Sequence, residues 1–185
     1  MIFNKHPELE GEHAFLSPSQ YHWTNYDDDK LVQKYSRAMA AARGTDLHDF
    51  AQKAITLGRR QPKNKDVLNL YINDAIGFKM TPEVLLYYSD LCFGTADAIG
   101  FRKNFLRIHD YKSGVTQTKM RQLEIYAALF CLEYEHNPHD LGGIELRIYQ
   151  EPEVVVSVPE PNDILEIANV IIDSDKRVNE LGLEE

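Results

Sequence analysis

The chain has 185 residues, 43% of them apolar and 26% charged, with a net charge of −9, the profile of a soluble globular domain able to bury a real core. No apolar run approaches the roughly 20 residues of a membrane span, and Met1 to Pro7 lacks the basic and apolar blocks of a secretion signal. Two cysteines, Cys92 and Cys131, are too few for a disulfide framework or an all-cysteine metal or cluster site, and a cytoplasmic setting is expected.

In chain order, Leu16-Ser17-Pro18-Ser19-Gln20 reads as a helix start, a serine ahead of a proline that suits the first turn. Asp27-Asp28-Asp29 opens a helical pattern to about Ala42, with its acids at the positive end of the dipole. Gly44-Thr45 interrupts it, and Thr45 is expected to cap a second helix from Asp46 to about Leu57. Leu47, Phe50, Ala51, Ala54 and Ile55 form the apolar face of that helix, and His48 lies one step off it, within reach of a cleft. Gly58 to Asp66 is a basic loop, and Leu68 to Ile76 a short helix or irregular segment. Val84 to Tyr88 reads as a strand, followed by two more near residues 91–100 and 105–112, joined by a turn at Phe101-Arg102-Lys103-Asn104. Thr116 to about His136 is a helix, Ile144 to Tyr149 and Val154 to Val158 are strands, and Pro161-Asn162 introduces a last amphipathic helix through Ile164, Ile167, Ala168 and Ile171. This order predicts an α/β fold with a mixed central sheet flanked by helices, without the regular alternation of a doubly wound fold. No repeat or low-complexity linker divides residues 1–185, which read as one domain.

Net acidity argues against a nucleic-acid partner, but its distribution does not. Phe50 to Lys65 carries five basic residues and no acid, and Ala98 to Leu123 carries six against Asp110 alone. The acids lie at the ends, 14 against 3 bases in residues 133–185 and 6 against 1 in residues 1–29. This segregation is compatible with a local phosphate-binding surface on an acidic protein, the alternative being solvated charges on unrelated faces.

Chemistry concentrates at Asp110-Tyr111-Lys112, with Asp97 upstream and Gln122 and Tyr126 downstream. On a strand Asp110 and Lys112 share one face and Tyr111 takes the other. A carboxylate and an ammonium side by side, with a second carboxylate across a hairpin, suit a divalent metal and phosphodiester hydrolysis. His109 falls on the opposite face and receives no catalytic role. Trp23, Tyr87 and Tyr88 could stack bases, with core packing the favoured reading, and the two cysteines read as small buried hydrophobes.

Four segments in this order resemble the PD-(D/E)XK nuclease superfamily, in particular its RecB-like branch. Gly44-Thr45-Asp46-Leu47-His48 matches Gly-Thr-x-x-His on its first core helix, and Gly94-Thr95-Ala96-Asp97 matches Gly-x-x-Asp on its second core strand. Asp110-Tyr111-Lys112-Ser113-Gly114 matches Asp-x-Lys-x-Gly on the third strand, and Gln122-Leu123-Glu124-Ile125-Tyr126 matches Gln-x-x-x-Tyr on the next helix. The resemblance covers roughly residues 16–150, and the strand and helix over 151–182 look like the tail of phage-encoded relatives. Ala96 replaces the proline of the superfamily name, and two cysteines disfavour the branch that carries an iron–sulfur cluster.

The resemblance implies a restriction-endonuclease-like core holding Mg²⁺ or Mn²⁺ through Asp97, Asp110, His48 and the backbone carbonyl of Tyr111. Carboxylates suit either ion, and the softer imidazole tilts the preference toward Mn²⁺. Such an ion polarises a phosphoryl oxygen and acidifies the attacking water. Lys112 would orient or deprotonate that water and offset charge on the phosphate, with Gln122 and Tyr126 holding the DNA backbone or Lys112. The expected activity is a DNA exonuclease acting at single- or double-stranded ends in phage-type recombination, replication or repair, in the host cytoplasm. A homo-oligomer and a recombinase or single-strand-binding protein are expected partners. The alternatives are a catalytically silent nuclease-like module that binds DNA or protein and, more weakly, a nucleotide phosphohydrolase, for which a Gly-rich phosphate loop is missing.

Overall fold

The computed structural model describes residues 14–16, 18–114 and 119–181. The chain divides into two compact units, Met1–Thr45 and Asp46–Glu185. The first holds a 3-10 helix over Pro18–Asn25 and the N-terminal part of helix α1, Asp28–Thr56. Asp28 and Asp29 stand in the first turn of α1, as expected, and Asp27 caps it, its Oδ1 accepting from the Lys30 N–H at 2.8 Å. Phe15 meets Tyr35 edge-on at 5.2 Å, and Lys30 lies 4.6 Å from the Tyr26 ring centre. Ser17, within the expected helix start, lies outside the described residues.

Helix α1 is continuous through Gly44 and Thr45, where the sequence predicts a break. Thr45 caps nothing; its hydroxyl donates back to the Ala41 carbonyl at 3.3 Å, the local bond by which a mid-helix threonine satisfies itself. Past Thr45, Ala51, Ala54 and Ile55 are buried as expected, whereas Phe50 is half exposed.

The second unit is built on a five-stranded mixed sheet in the order β1-β2-β3-β4-β5. Its strands are β1 Thr81–Ser89, β2 Cys92–Arg102, β3 Phe105–Lys112, β4 Gly143–Gln150 and β5 Glu153–Ser157. All neighbours are antiparallel except β3 and β4, whose parallel pairing needs a crossover. Helix α3, Arg121–Glu133, supplies it; residues 115–118, the expected start of that helix, lie outside the described residues. The β2–β3 turn places Lys103 and Asn104 at φ 51° and 61°, the left-handed pair of a two-residue hairpin. Helix α2, Val67–Phe78, is capped by Asp66, which accepts from the N–H groups of Leu68 and Asn69 at 2.9 and 3.1 Å. It ends on Lys79 in the left-handed region.

Two cores follow from the period-two alternation of the strands. On one sheet face Leu86, Leu106, Ile108 and Leu146 pack with α3 and with α4, Pro161–Leu181. On the other, Ala98, Tyr111 and Tyr149 pack with α2 and with Ala51, Ala54 and Ile55 of α1. The expected α/β architecture, a mixed sheet flanked by helices, is present. Among the described residues no helix is long and apolar enough to cross a membrane.

Candidate metal centre

The site forms where β2 and β3 part. Their ladder ends at Ala98 and His109, so Asp97 has no partner across it. The Asp97 side chain turns into this gap, and its Oδ2 accepts the Tyr111 N–H at 2.9 Å. Burial of Tyr111 against Tyr71, with rings stacked at 5.9 Å, fixes that donor. His48, one turn before the buried end of α1, brings Nδ1 to 3.4 Å from the same Oδ2 and lies 5.6 Å from the Tyr111 ring.

A residue that the motifs do not contain completes the cluster. Glu83 of β1 lies opposite Asp97 in the hairpin, between the pairs Pro82–Ala98 and Val84–Ala96. It adopts φ 52°, a conformation that costs a non-glycine residue roughly 1 kcal/mol or more. One ligand atom each from His48, Glu83 and Asp97 lie within 4.8 Å of one another. Burial and then the Asp97 charge raise the Glu83 pKa, with His48 opposing. The available signal was Pro82-Glu83 at the mouth of an apolar run, and reading the strand from Val84 stops one residue short of it.

Asp110 and Lys112 project together from β3, as alternation requires, with Lys112 Nζ 3.0 Å from Asp110 Oδ1. Lys112 is thus the charged partner of Oδ1, and Asp110 Oδ2 is buried with no hydrogen-bond partner. Asp110 is only 2% exposed. Burial, then repulsion from Asp97, pushes its pKa up to about 6, while Lys112 and His48 pull against that rise. Burial alone would lower the Lys112 pKa, yet the facing Asp110 and Asp97 charges raise it. Asp110 stands beside the His48–Glu83–Asp97 cluster without joining it.

Gln122 and Tyr126 share a face of α3, the Gln122 amide donating to the Tyr126 hydroxyl at 3.4 Å. Tyr126 is close enough to Lys112 to act on its charge. Gly94 makes that approach possible, since a Cβ added there would lie 3.1 Å from Tyr126 Cε1. The motif residues His48, Asp97, Tyr111, Asp110, Lys112, Gln122 and Tyr126 thus gather around one sheet opening. Tyr111 is tied in through its N–H.

The donor set suits a divalent cation. Two carboxylates and an imidazole can face one point, and the buried Asp110 Oδ2 lacks a hydrogen-bond partner whose place an ion would take. Away from the site, His109 is buried on the other face, as alternation predicts. Cys131 is buried and Cys92 partly so, and burial pushes both thiols up. Tyr87 departs from the core expectation. It is 42% exposed and stacks on Phe93 at 6.4 Å.

No protein-family model matches this sequence. A search of curated proteins returns no match. A solved structure described as that of SSO0001 is similar over 82% of this chain and 68% of its own, with 14% identity and a TM-score of 0.36.

Proposed function

We propose that this protein is a divalent-metal-dependent DNA nuclease with a PD-(D/E)XK core, hydrolysing phosphodiester bonds at DNA ends. The observation that carries the reading is buried Asp110, ion-paired with the half-buried Lys112, beside the His48–Glu83–Asp97 cluster. A solitary surface ion pair has little reason to bury a carboxylate oxygen without a partner, whereas a metal-assisted phosphoryl site needs such an oxygen. Mg²⁺ or Mn²⁺ would be held by Asp97, Asp110, His48 and Glu83, together with the Tyr111 carbonyl that the family pattern implies. The bound ion supplies a Lewis acid for the phosphoryl oxygen and acidifies water.

The chain's own groups do the rest. The Tyr111 N–H fixes one Asp97 oxygen and so orients the other. Lys112 presents an ammonium next to the scissile position, where it orients the attacking water and offsets charge gathering on the phosphate. Tyr126 and Gln122 border Lys112 and steady it or the DNA backbone. Action within a homo-oligomer, or with a recombinase or single-strand-binding protein in a phage-type recombination system, belongs to the same proposal.

The test incubates linear and circular DNA, single- and double-stranded, with Mg²⁺, Mn²⁺ or EDTA. Linear DNA should be lost only with metal while circles survive. Lys112→Ala should reduce the rate by roughly 10²- to 10⁴-fold, as for removal of a proton-transfer or charge-stabilising group. Cutting of circles makes the enzyme an endonuclease. A folded protein inert on every substrate supports a binding module in its place.

A further inference from the structure

The most basic stretch of the chain lies outside this centre. Arg59, Arg60, Lys63 and Lys65 sit in the loop between α1 and α2, with no acid before Asp66. The loop is fastened to α2 at two places. Gln61 and Asn73 exchange a pair of hydrogen bonds, the Gln61 N–H donating to Asn73 Oδ1 at 2.9 Å and Asn73 Nδ2 to the Gln61 carbonyl at 3.0 Å. Asn64 Oδ1 accepts from the Asp66 N–H at 3.1 Å and from Asn69 Nδ2 at 3.0 Å. Arg60 reaches along α2 as far as Gly77, where an added Cβ would lie 4.0 Å from its Nη2.

Loop and helix enclose a cleft of about 640 Å³ whose walls include Arg60, Lys63, Asn64, Asn73, Asp74 and Phe78. Among the described residues, neither Arg60 nor Lys63 forms an ion pair. The acid in the wall is already engaged, since Asp74 Oδ2 accepts from Arg147 Nη1 at 3.1 Å and from the Tyr149 hydroxyl at 2.7 Å. Two unpaired cations and fixed amides around an offset acid suit an anion that offers several oxygens, and phosphate is such an anion.

Continuity identifies the source of that phosphate. The inner face of α2 carries Tyr71, which stacks on Tyr111 beneath Asp97, while Asn73, Asp74 and Gly77 line the cleft. Cleft and carboxylate cluster therefore share one side of the sheet. A strand cut at the cluster meets three acids there against Lys112, on a protein of net charge −9, so affinity has to come from cations elsewhere.

We propose that the cleft between the α1–α2 loop and α2 holds a backbone phosphate of the polynucleotide whose scissile bond meets the His48–Glu83–Asp97 cluster, with Arg60 and Lys63 as its cations. The identity of the polymer rests on the nuclease reading; the anion site rests on the cleft.

The experiment measures anisotropy of a fluorescein-labelled 20-mer, single-stranded and duplex, across a NaCl series in EDTA, where cleavage cannot intervene. Wild type, Arg60→Ala/Lys63→Ala and the exposed-turn control Arg102→Ala/Lys103→Ala are compared, with melting curves as a check on folding. Loss of two phosphate contacts should weaken binding roughly tenfold near 0.1 M salt and flatten the salt slope by about 1.4 for single strands or 1.8 for duplex. The control should change little. An unchanged slope in Arg60→Ala/Lys63→Ala, or an equal loss in the control, overturns the cleft as anchor. Inorganic phosphate and a mononucleotide should compete only weakly. A mononucleotide that competes as well as the oligomer makes this a nucleotide pocket and overturns the polynucleotide assignment. Wild-type protein that binds neither strand form overturns the anchor as well. Slope loss without cleavage under Mg²⁺ or Mn²⁺ keeps the anchor and removes the nuclease; cleavage with an unchanged slope does the reverse.

Discussion

On β3, three consecutive side chains meet three different environments. His109 is fully buried beside Phe78, and its Nδ1 lies 3.3 Å from the Tyr149 oxygen. Tyr149 spends its single proton on Asp74 at 2.7 Å, so His109 must donate from Nδ1, leaving Nε2 bare and without a partner. Burial, followed by the Arg147 and Arg107 charges, lowers its pKa to about 3 from an ordinary 6.5. The sign is that of a depressed folded pKa. The stabilisation is complete above about pH 6.5 and is lost as pH falls toward 3, because the unfolded chain takes up the proton first. At about 1.4 kcal/mol per pH unit, this residue should cost the fold roughly 2 kcal/mol between pH 7 and 5. Urea unfolding at both pH values should give a smaller loss for His109→Asn than for wild type, and equal losses would refute the buried neutral imidazole. That His109 turns away from Asp110 was readable from alternation. Its tautomer was not, because that depends on Tyr149 and Asp74, 40 and 35 residues away in the chain.

Among the elements, the β1–β2 hairpin decides whether the cluster forms. Glu83 holds φ 52° while facing Asp97 and His48. Glu83→Gly and Glu83→Ala both delete the carboxylate, but only glycine relieves the left-handed backbone. The Gly variant should be about 1 kcal/mol more stable than the Ala variant by chemical unfolding. Equal stabilities would mean that the strand relaxes and Glu83 is not strained. Gly94 acts through α3. With Cβ at 3.1 Å from Tyr126 Cε1, Gly94→Ala forces the ring to shift near Lys112. Cleavage should fall roughly ten- to hundredfold in a variant whose circular dichroism is native, and wild-type kcat would show that Tyr126 has no positioning role. The sequence supplies both glycine and tyrosine, but their contact exists only because α3 lies across the face that Gly94 leaves open. The continuous α1 teaches the opposite lesson. Gly44-Thr45 has the composition of a break, yet the Thr45 hydroxyl finds the Ala41 carbonyl and the helix runs on.

For the whole molecule, ligand binding to the folded state alone is read as added stability. Mn²⁺ or Mg²⁺ at about a hundredfold above its Kd should stabilise wild type by about 2.7 kcal/mol, seen as a rise in melting temperature that EDTA reverses. His48→Ala, Glu83→Ala and Asp97→Asn should each shrink that rise, whereas Lys112→Ala should keep it. A full response in Glu83→Ala would remove Glu83 from the ligand set. What the sequence determined by itself was local. Period-two and helical spacing gave the five strands and the flanking helices in order, though not the continuity of α1, and placed Asp110 and Lys112 on one face with His109 and Tyr111 on the other. Alternation and capping act within a few residues, so they are written in the chain. Tertiary structure alone decided the rest. It set the parting of β2 from β3 that admits Asp97, the register that brings Glu83 across from it, and the docking of α2 that turns a basic loop into the wall of a cleft. Those outcomes come from pairing and packing between segments far apart in the chain, and no window of sequence contains both partners.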